Sequence, residues 1–256
     1  MTATERETVQ VLLAWYAAMG ADEAIDDMPV DCFAAPAAAV STPPRVQPRP
    51  RPAAAQVAAA GDSRIDLSQA NTLAALEAMV AAFEGCALKR TAKSLCFKRG
   101  SDEARIMLIG EAPGRDEDLS GKPFVGRAGQ LLDRMLGAIG LAEEHVYITN
   151  TVYWRPPGNR TPTPEDVGAC APFLARQIEL LSPQVLVLLG GAAAKTILGM
   201  AEGIMRLRGK WLNYRSGDRD VATLATLHPA FLLRNPEHKR LVWRDLLSMK
   251  ERLEAK

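Results

Sequence analysis

The chain has 256 residues, 48% of them hydrophobic, and a formal net charge of +1. That is enough apolar material for a sizeable core, while the near-neutral balance means that any nucleic-acid contact must come from local basic patches. Four cysteines in so long a chain exclude a disulfide scaffold. No apolar run reaches the ~18–20 residues that span a bilayer, and the start MTATERETVQ lacks the regions of a signal peptide. Together these features predict a reduced, cytoplasmic protein with no membrane partner.

Residues 6–19 predict a helix, with Val9, Leu12, Leu13 and Tyr16 on one side, Trp15 widening that face and Gly20 as the stop. Residues 34–61 are rich in Pro and Ala without an apolar period, the composition of a flexible, partly polyproline-II tether; phosphate contact through their Arg-Pro repeats is the alternative. The expected organisation is an amino-terminal helical segment (1–33), a linker (34–64) and a catalytic domain (65–256). Within that domain a helix is expected at 71–84, with Asn71 as its cap and Gly85 as its stop. A strand (105–109), a helix (126–140), a second strand (145–149) and a helix opening at Pro164 (164–181) follow. A strand (184–189), a short helix (192–198), a fourth strand (221–227) and a helix from Pro236 (236–254) complete the pattern. Apolar strands alternating with helices predict an α/β fold, a three-layer α/β/α sandwich around a central four-stranded, mostly parallel sheet.

Ligands of such sheets bind beyond the carboxyl ends of the strands. Those ends read Gly110-Glu111-Ala112-Pro113-Gly114, Asn150, Gly190-Gly191 and His228-Pro229. Polar and glycine residues therefore converge on one sheet edge, which points to an active site there. Taken singly each has a plain structural reading: a turn-forming Asn, a structural His before Pro, a tight Gly-Gly turn. The first turn matches neither GxGxxG nor a P-loop, which disfavours nucleotide binding.

Three segments carry a family resemblance: GEAPGRDEDLSGKPFVGRAGQLL (110–132), YITNTVYWRPPGNRTPTPED (147–166) and LHPAFLLRNP (227–236). In order and spacing they resemble the signature segments of family 4 uracil-DNA glycosylases, over roughly Ala82 to the carboxyl terminus. The resemblance implies hydrolysis of the N-glycosidic bond of uracil in DNA, leaving an abasic site and free uracil, by a monomer that flips the nucleotide out of the duplex. Phe124 resembles the residue that stacks on uracil; a core aromatic is the alternative. Asn150 both donates and accepts, which suits the O4 and N3–H edge of uracil and mismatches the amino group of cytosine. His228 resembles the histidine that bonds uracil O2 as negative charge develops. Glu111 is the candidate carboxylate beside the sugar. Ala112 stands where better-known relatives carry a water-positioning aspartate. Glu117 supports either the loop or the water, and Gly110 and Ala112 line the base pocket. Candidate DNA contacts are Lys122, Arg127, Arg155, Arg160 and Arg234, with the basic run KRTAKSLCFKRG (89–100) a phosphate contact or a solvated loop. Leu232 or Leu233 is the candidate wedge that enters the duplex.

The resemblance also implies a [4Fe–4S] cluster on four cysteines, and here the chain departs from it. Cys86 and Cys170 occupy two ligand positions, but Phe83 and Trp154 occupy the others and offer iron no lone pair. The expectation is therefore no cofactor, with aromatic packing in the cluster's place; a cluster rebuilt with Cys96 or Cys32 is the alternative. Two other functions compete: a glycosylase-like module that binds abasic or damaged DNA without efficient excision, and a flavodoxin-like small-molecule enzyme.

Overall fold

The computed structural model describes residues 67–254, all within one unit, Ser63–Lys256. The helix expected at 6–19, the linker at 34–64 and Cys32 lie outside the described residues.

Apolar runs form the centre of the sheet. β1 is Arg99–Gly100, β2 Ile106–Gly110, β3 Val146–Asn150, β4 Val185–Leu189, β5 Trp211–Ser216 and β6 Arg219–Thr226. Their order is β1-β3-β2-β4-β6-β5. The pairs β3–β2, β2–β4 and β4–β6 are parallel, while β1 and β5 pair antiparallel at the edges. The expected four-stranded, mostly parallel sheet is thus corrected to a mixed sheet of six strands among the described residues. Both additional strands are edges. β1 has two residues, too few to carry a period, and β5 (WLNYRS) alternates half-buried and exposed positions with polar residues between them. β2, β3 and β4 are buried at every position, which is why they read as continuous apolar runs.

Successive side chains in these strands point to opposite faces. One face buries Leu108, Ile148 and Val187 against α3 (Arg127–Gly137) and α8 (Lys239–Glu254). The other buries Met107, Ile109 and Leu188 against α4 (Pro164–Leu181) and α5 (Gly191–Leu198). α1 (Leu73–Ala82) packs on α4 and seats a third cluster that includes Phe97, Tyr153 and Phe173. The side chain of Thr72, not Asn71, caps α1, accepting from the Ala75 amide at 3.1 Å. Two short helices complete the frame of the site: α2 (Arg115–Ser120) after β2 and α7 (Pro229–Arg234) after β6. α6 is Ile204–Leu207.

Register brings the strand ends together. Gly110 on β2 sits opposite Asn150 on β3. The Gly190 amide after β4 donates to the Thr226 carbonyl of β6 at 2.8 Å, so β4 and β6 end side by side, with His228 two residues on.

Candidate active site

Gly110, Phe124 and Asn150 meet at one point. A Cβ on Gly110 would lie 2.4 Å from Asn150 Oδ1 and 2.5 Å from Phe124 Cζ. The absence of a side chain at 110 is therefore what lets the amide and the ring approach the same space. Asn150 is 1% exposed, and its Oδ1 has no hydrogen-bond partner among the described residues. A buried carbonyl oxygen left unpaired costs of order 1–3 kcal/mol, and such atoms mark places where a ligand completes the bonding.

Phe124 is held there against its own backbone preference. Its φ is +58°, a left-handed conformation that is uncommon outside glycine. Two features enforce it. Gly129 lets the first turn of α3 pass against the Phe124 carbonyl; a Cβ at 129 would fall 1.7 Å from that oxygen. Glu117 on α2 accepts three backbone N–H groups: Gly114 at 3.0 Å, Val125 at 3.0 Å and Gly126 at 2.9 Å. Its carboxylate thus ties the turn after β2 to the loop that carries Phe124. Of the two roles open to Glu117, these contacts are those of loop support. The neighbouring Asp118, missed in the sequence reading, accepts from the Lys93 and Ser94 amides at 2.7 and 3.2 Å and lies 3.9 Å from Arg155.

His228 closes the other side. Its ring lies 5.6 Å from that of Phe124, tilted by 32°. Nδ1 accepts from the Ala230 amide at 3.1 Å, capping α7, so the proton of the neutral ring sits on Nε2. Burial, and then the charge of Arg234, push its pKa down to about 4. Glu111 is half-buried, and its carboxylate makes no hydrogen bond or ion pair among the described residues. Its backbone is fixed, since the Thr151 hydroxyl donates to the Glu111 carbonyl at 2.6 Å. Glu111 lines a groove of about 500 Å³ together with Ala112, His228, Phe231, Arg160 and Arg234. It also lines an adjoining cavity of about 310 Å³ with Thr151, Thr161 and Lys195.

The expected DNA contacts divide. Lys122, Arg127 and Arg234 are exposed and without an ion pair among the described residues. Arg155 donates to Asn159 Oδ1 at 2.7 Å, and Arg160 pairs with Asp166 at 2.9 Å, so both are braced in the loop that walls the groove. Leu232 has no exposure and belongs to the core. Of the two wedge candidates, Leu233, 37% exposed, is the leucine at the surface. Phe231 in the groove wall escaped the sequence reading, as did Asn159, although the Gly158-Asn159 turn that places it (φ +64° and +56°) is a recognisable signal. The basic run is largely spent internally: Lys89 pairs with Glu84, Lys98 with Asp102 and Arg99 with Asp133, leaving Arg90 and Lys93 exposed.

The region expected to hold an iron–sulfur cluster does not fit one. Phe83 packs edge-on against Phe173 at 5.0 Å, and Trp154 is 3% exposed, edge-on to Tyr153 at 6.2 Å. Cys86 and Cys170 are buried beside these rings and hydrogen-bonded to each other, which holds the Cys86 thiol down and pushes Cys170 up. Cys96 lies elsewhere, its thiol donating to the Glu117 carbonyl at 3.2 Å, and burial, with the charges of Asp118 and Glu117, pushes it up to about 12. Among the described residues no group of three or more His, Cys, Asp or Glu is placed to hold a metal ion.

Residues 97–247 match the Uracil DNA glycosylase superfamily. The chain is 45% identical over 156 residues to the type-4 uracil-DNA glycosylase of Archaeoglobus fulgidus, covering 59% of this chain and 78% of that protein. It is 42% identical over 164 residues to the type-4 enzyme of Thermotoga maritima, covering 63% and 84%. A type-5 uracil-DNA glycosylase of Thermus thermophilus is 37% identical over 114 residues, or 39% and 52% of the two chains. With its pocket at the sheet edge and aromatic packing in place of two of the four cluster thiolates, the chain belongs to the uracil-DNA glycosylase superfamily, in its type-4 family.

Proposed function

We propose that this chain excises uracil from DNA, taking a flipped nucleotide into the Phe124–Asn150–His228 pocket and hydrolysing its N-glycosidic bond to leave an abasic site. The observation that carries this reading is the unpartnered Asn150 Oδ1, buried beside the Phe124 ring across Gly110. That oxygen accepts uracil N3–H while the amide nitrogen donates to O4. Cytosine presents the opposite pattern and leaves a buried group unpaired, which penalises it strongly.

Bond cleavage moves the glycosidic electron pair onto uracil and leaves positive charge on the sugar. The Nε2–H of His228 donates to O2 as that negative charge grows, worth roughly 3–4 kcal/mol for one oriented donor. A neutral imidazole suffices, in keeping with its low pKa. The Glu111 carboxylate, free of partners among the described residues beside the groove, steadies the sugar cation and takes the proton of the water that adds to C1′. Lys122, Arg127 and Arg234 hold phosphates, and Leu233 fills the gap in the stack. Glu117 acts through Phe124.

Single-turnover reaction of the protein with an oligonucleotide bearing one uracil tests the reading. An alkali-labile abasic site is expected. Tight binding of abasic DNA with no excision would assign the chain instead to damage recognition alone.

A further inference from the structure

The helices α3 and α8 enclose a second groove, of about 620 Å³, that shares no residue with the groove lined by Glu111 and His228, and none with the Phe124–Asn150–His228 site. Its walls are two apolar stripes at helical spacing. Leu131 and Met135 come from α3, and Val242, Trp243 and Leu246 from α8, with Leu232 between them. Trp243 is 43% exposed and Leu247, one residue beyond the stripe, 37%. Together with the groove's floor they form a contiguous apolar patch rimmed by polar side chains, the kind of exposed surface that marks an interaction site where singly scattered apolar residues do not.

The rim decides the chemistry of the occupant. Arg134, Lys239 and Arg240 line the groove, all are exposed, and none has an ion pair among the described residues. No carboxylate among the described residues lines it. An apolar floor between unpaired cations suits a segment with large apolar side chains on one face and acidic side chains beside them. A nucleic-acid backbone would use the cations but leave the apolar floor uncovered. The wall from Leu131 to Ala138 runs about 10 Å along the helix axis, room for about two turns of a third helix.

We propose that this groove docks a short acidic, amphipathic helix of a partner protein. The site is independent of the base-excision reading. It adjoins the proposed DNA-contacting helix through Leu232, whose neighbours Ala230, Phe231 and Arg234 line the other groove.

The test uses the full chain and a fluorescein-labelled peptide of about twelve residues, with Leu or Phe at i, i+3, i+4 and i+7 and Asp or Glu elsewhere. Saturable anisotropy is expected, weakened about tenfold or more when Lys replaces the peptide's acids. Trp243→Ala and Arg240→Glu, both at exposed positions, are each expected to weaken binding by a similar factor without changing the melting temperature. Equal binding of the acidic and basic peptides would overturn the proposal, as would no saturable binding or displacement of the peptide by duplex DNA. A concentration-dependent dimer lost in Trp243→Ala, or a carbodiimide cross-link from Lys239 to a carboxylate within residues 1–61, would overturn it too by naming another occupant.

Discussion

Trp154→Ala removes the largest side chain standing where the family resemblance expects a cluster ligand. Trp154 is 3% exposed and shares an apolar cluster with Val152, Cys170 and Phe173. Truncating a buried tryptophan costs roughly 3–5 kcal/mol, because the transfer energy of the ring is lost and the space it leaves collapses only in part. Domains have about 5–15 kcal/mol in total, so the loss is a large fraction of stability. At this size it lowers the melting temperature by roughly 10 °C. The next residue, Arg155, anchors the groove-lining loop through Asn159, so excision is expected to fail on warming before the domain unfolds. The assay is thermal melting of wild type and Trp154→Ala by circular dichroism, with iron measured on anaerobically purified protein. A Trp154→Ala variant within about 1 kcal/mol of wild type would refute the packing argument. About four irons per wild-type chain would refute it from the other side, by demanding ligands that Phe83 and Trp154 cannot supply.

Three further outcomes are expected. The folded pKa of His228 is about 4, against about 6.5 for an unfolded histidine. Above the higher value both states are neutral and the residue contributes nothing to pH dependence; as pH falls toward 4 the unfolded chain takes up the proton first, and stability drops by up to about 3 kcal/mol. His228→Asn, which keeps a capping acceptor, should lose that acid sensitivity and slow excision roughly 10²–10³-fold at neutral pH; parallel stability profiles for the two proteins would contradict the neutral-imidazole assignment. Leu232→Ala should cost roughly 2–5 kcal/mol of stability, whereas Leu233→Ala should leave melting unchanged and weaken binding and excision of duplex uracil more than of single-stranded uracil; the reverse pattern would return the wedge to Leu232. Glu117→Gln keeps one acceptor oxygen for three amide donors, so excision should fall with kcat while DNA binding holds, and unchanged kcat would remove Glu117 from the support of Phe124.

The parallel core of the sheet was legible because β2, β3, β4 and β6 are apolar enough to read as strands without their neighbours. The edges were not: β1 is defined by its pairing with β3, and β5 only by the hairpin that sets Trp211–Ser216 against β6. At the site, Gly110, Glu111, Asn150 and His228 could be gathered in advance because each ends or follows a strand whose carboxyl end lies on the same edge. Helix phase could not. FLLR does not say which leucine faces inward until α7 is oriented, and there Leu232 turns into the core and Leu233 toward solvent. The basic run stayed open between its two readings for a related reason: the acid that pairs with Arg99, Asp133, lies 34 residues along the chain. Glu117 could be named as loop or water support, but its three donors come from two loops that only the fold brings together.

Base reading by Asn150 is tested most directly by single-turnover excision with enzyme in excess over a uracil-containing oligonucleotide, comparing wild type with Asn150→Asp. Wild type should convert uracil sites to alkali-labile abasic sites. Asn150→Asp, whose carboxylate offers no donor to O4, should be slower by about 10²-fold or more, while its affinity for DNA stays close to that of wild type. No excision by wild type, or equal rates for the two proteins, would contradict the assignment of this pocket to uracil.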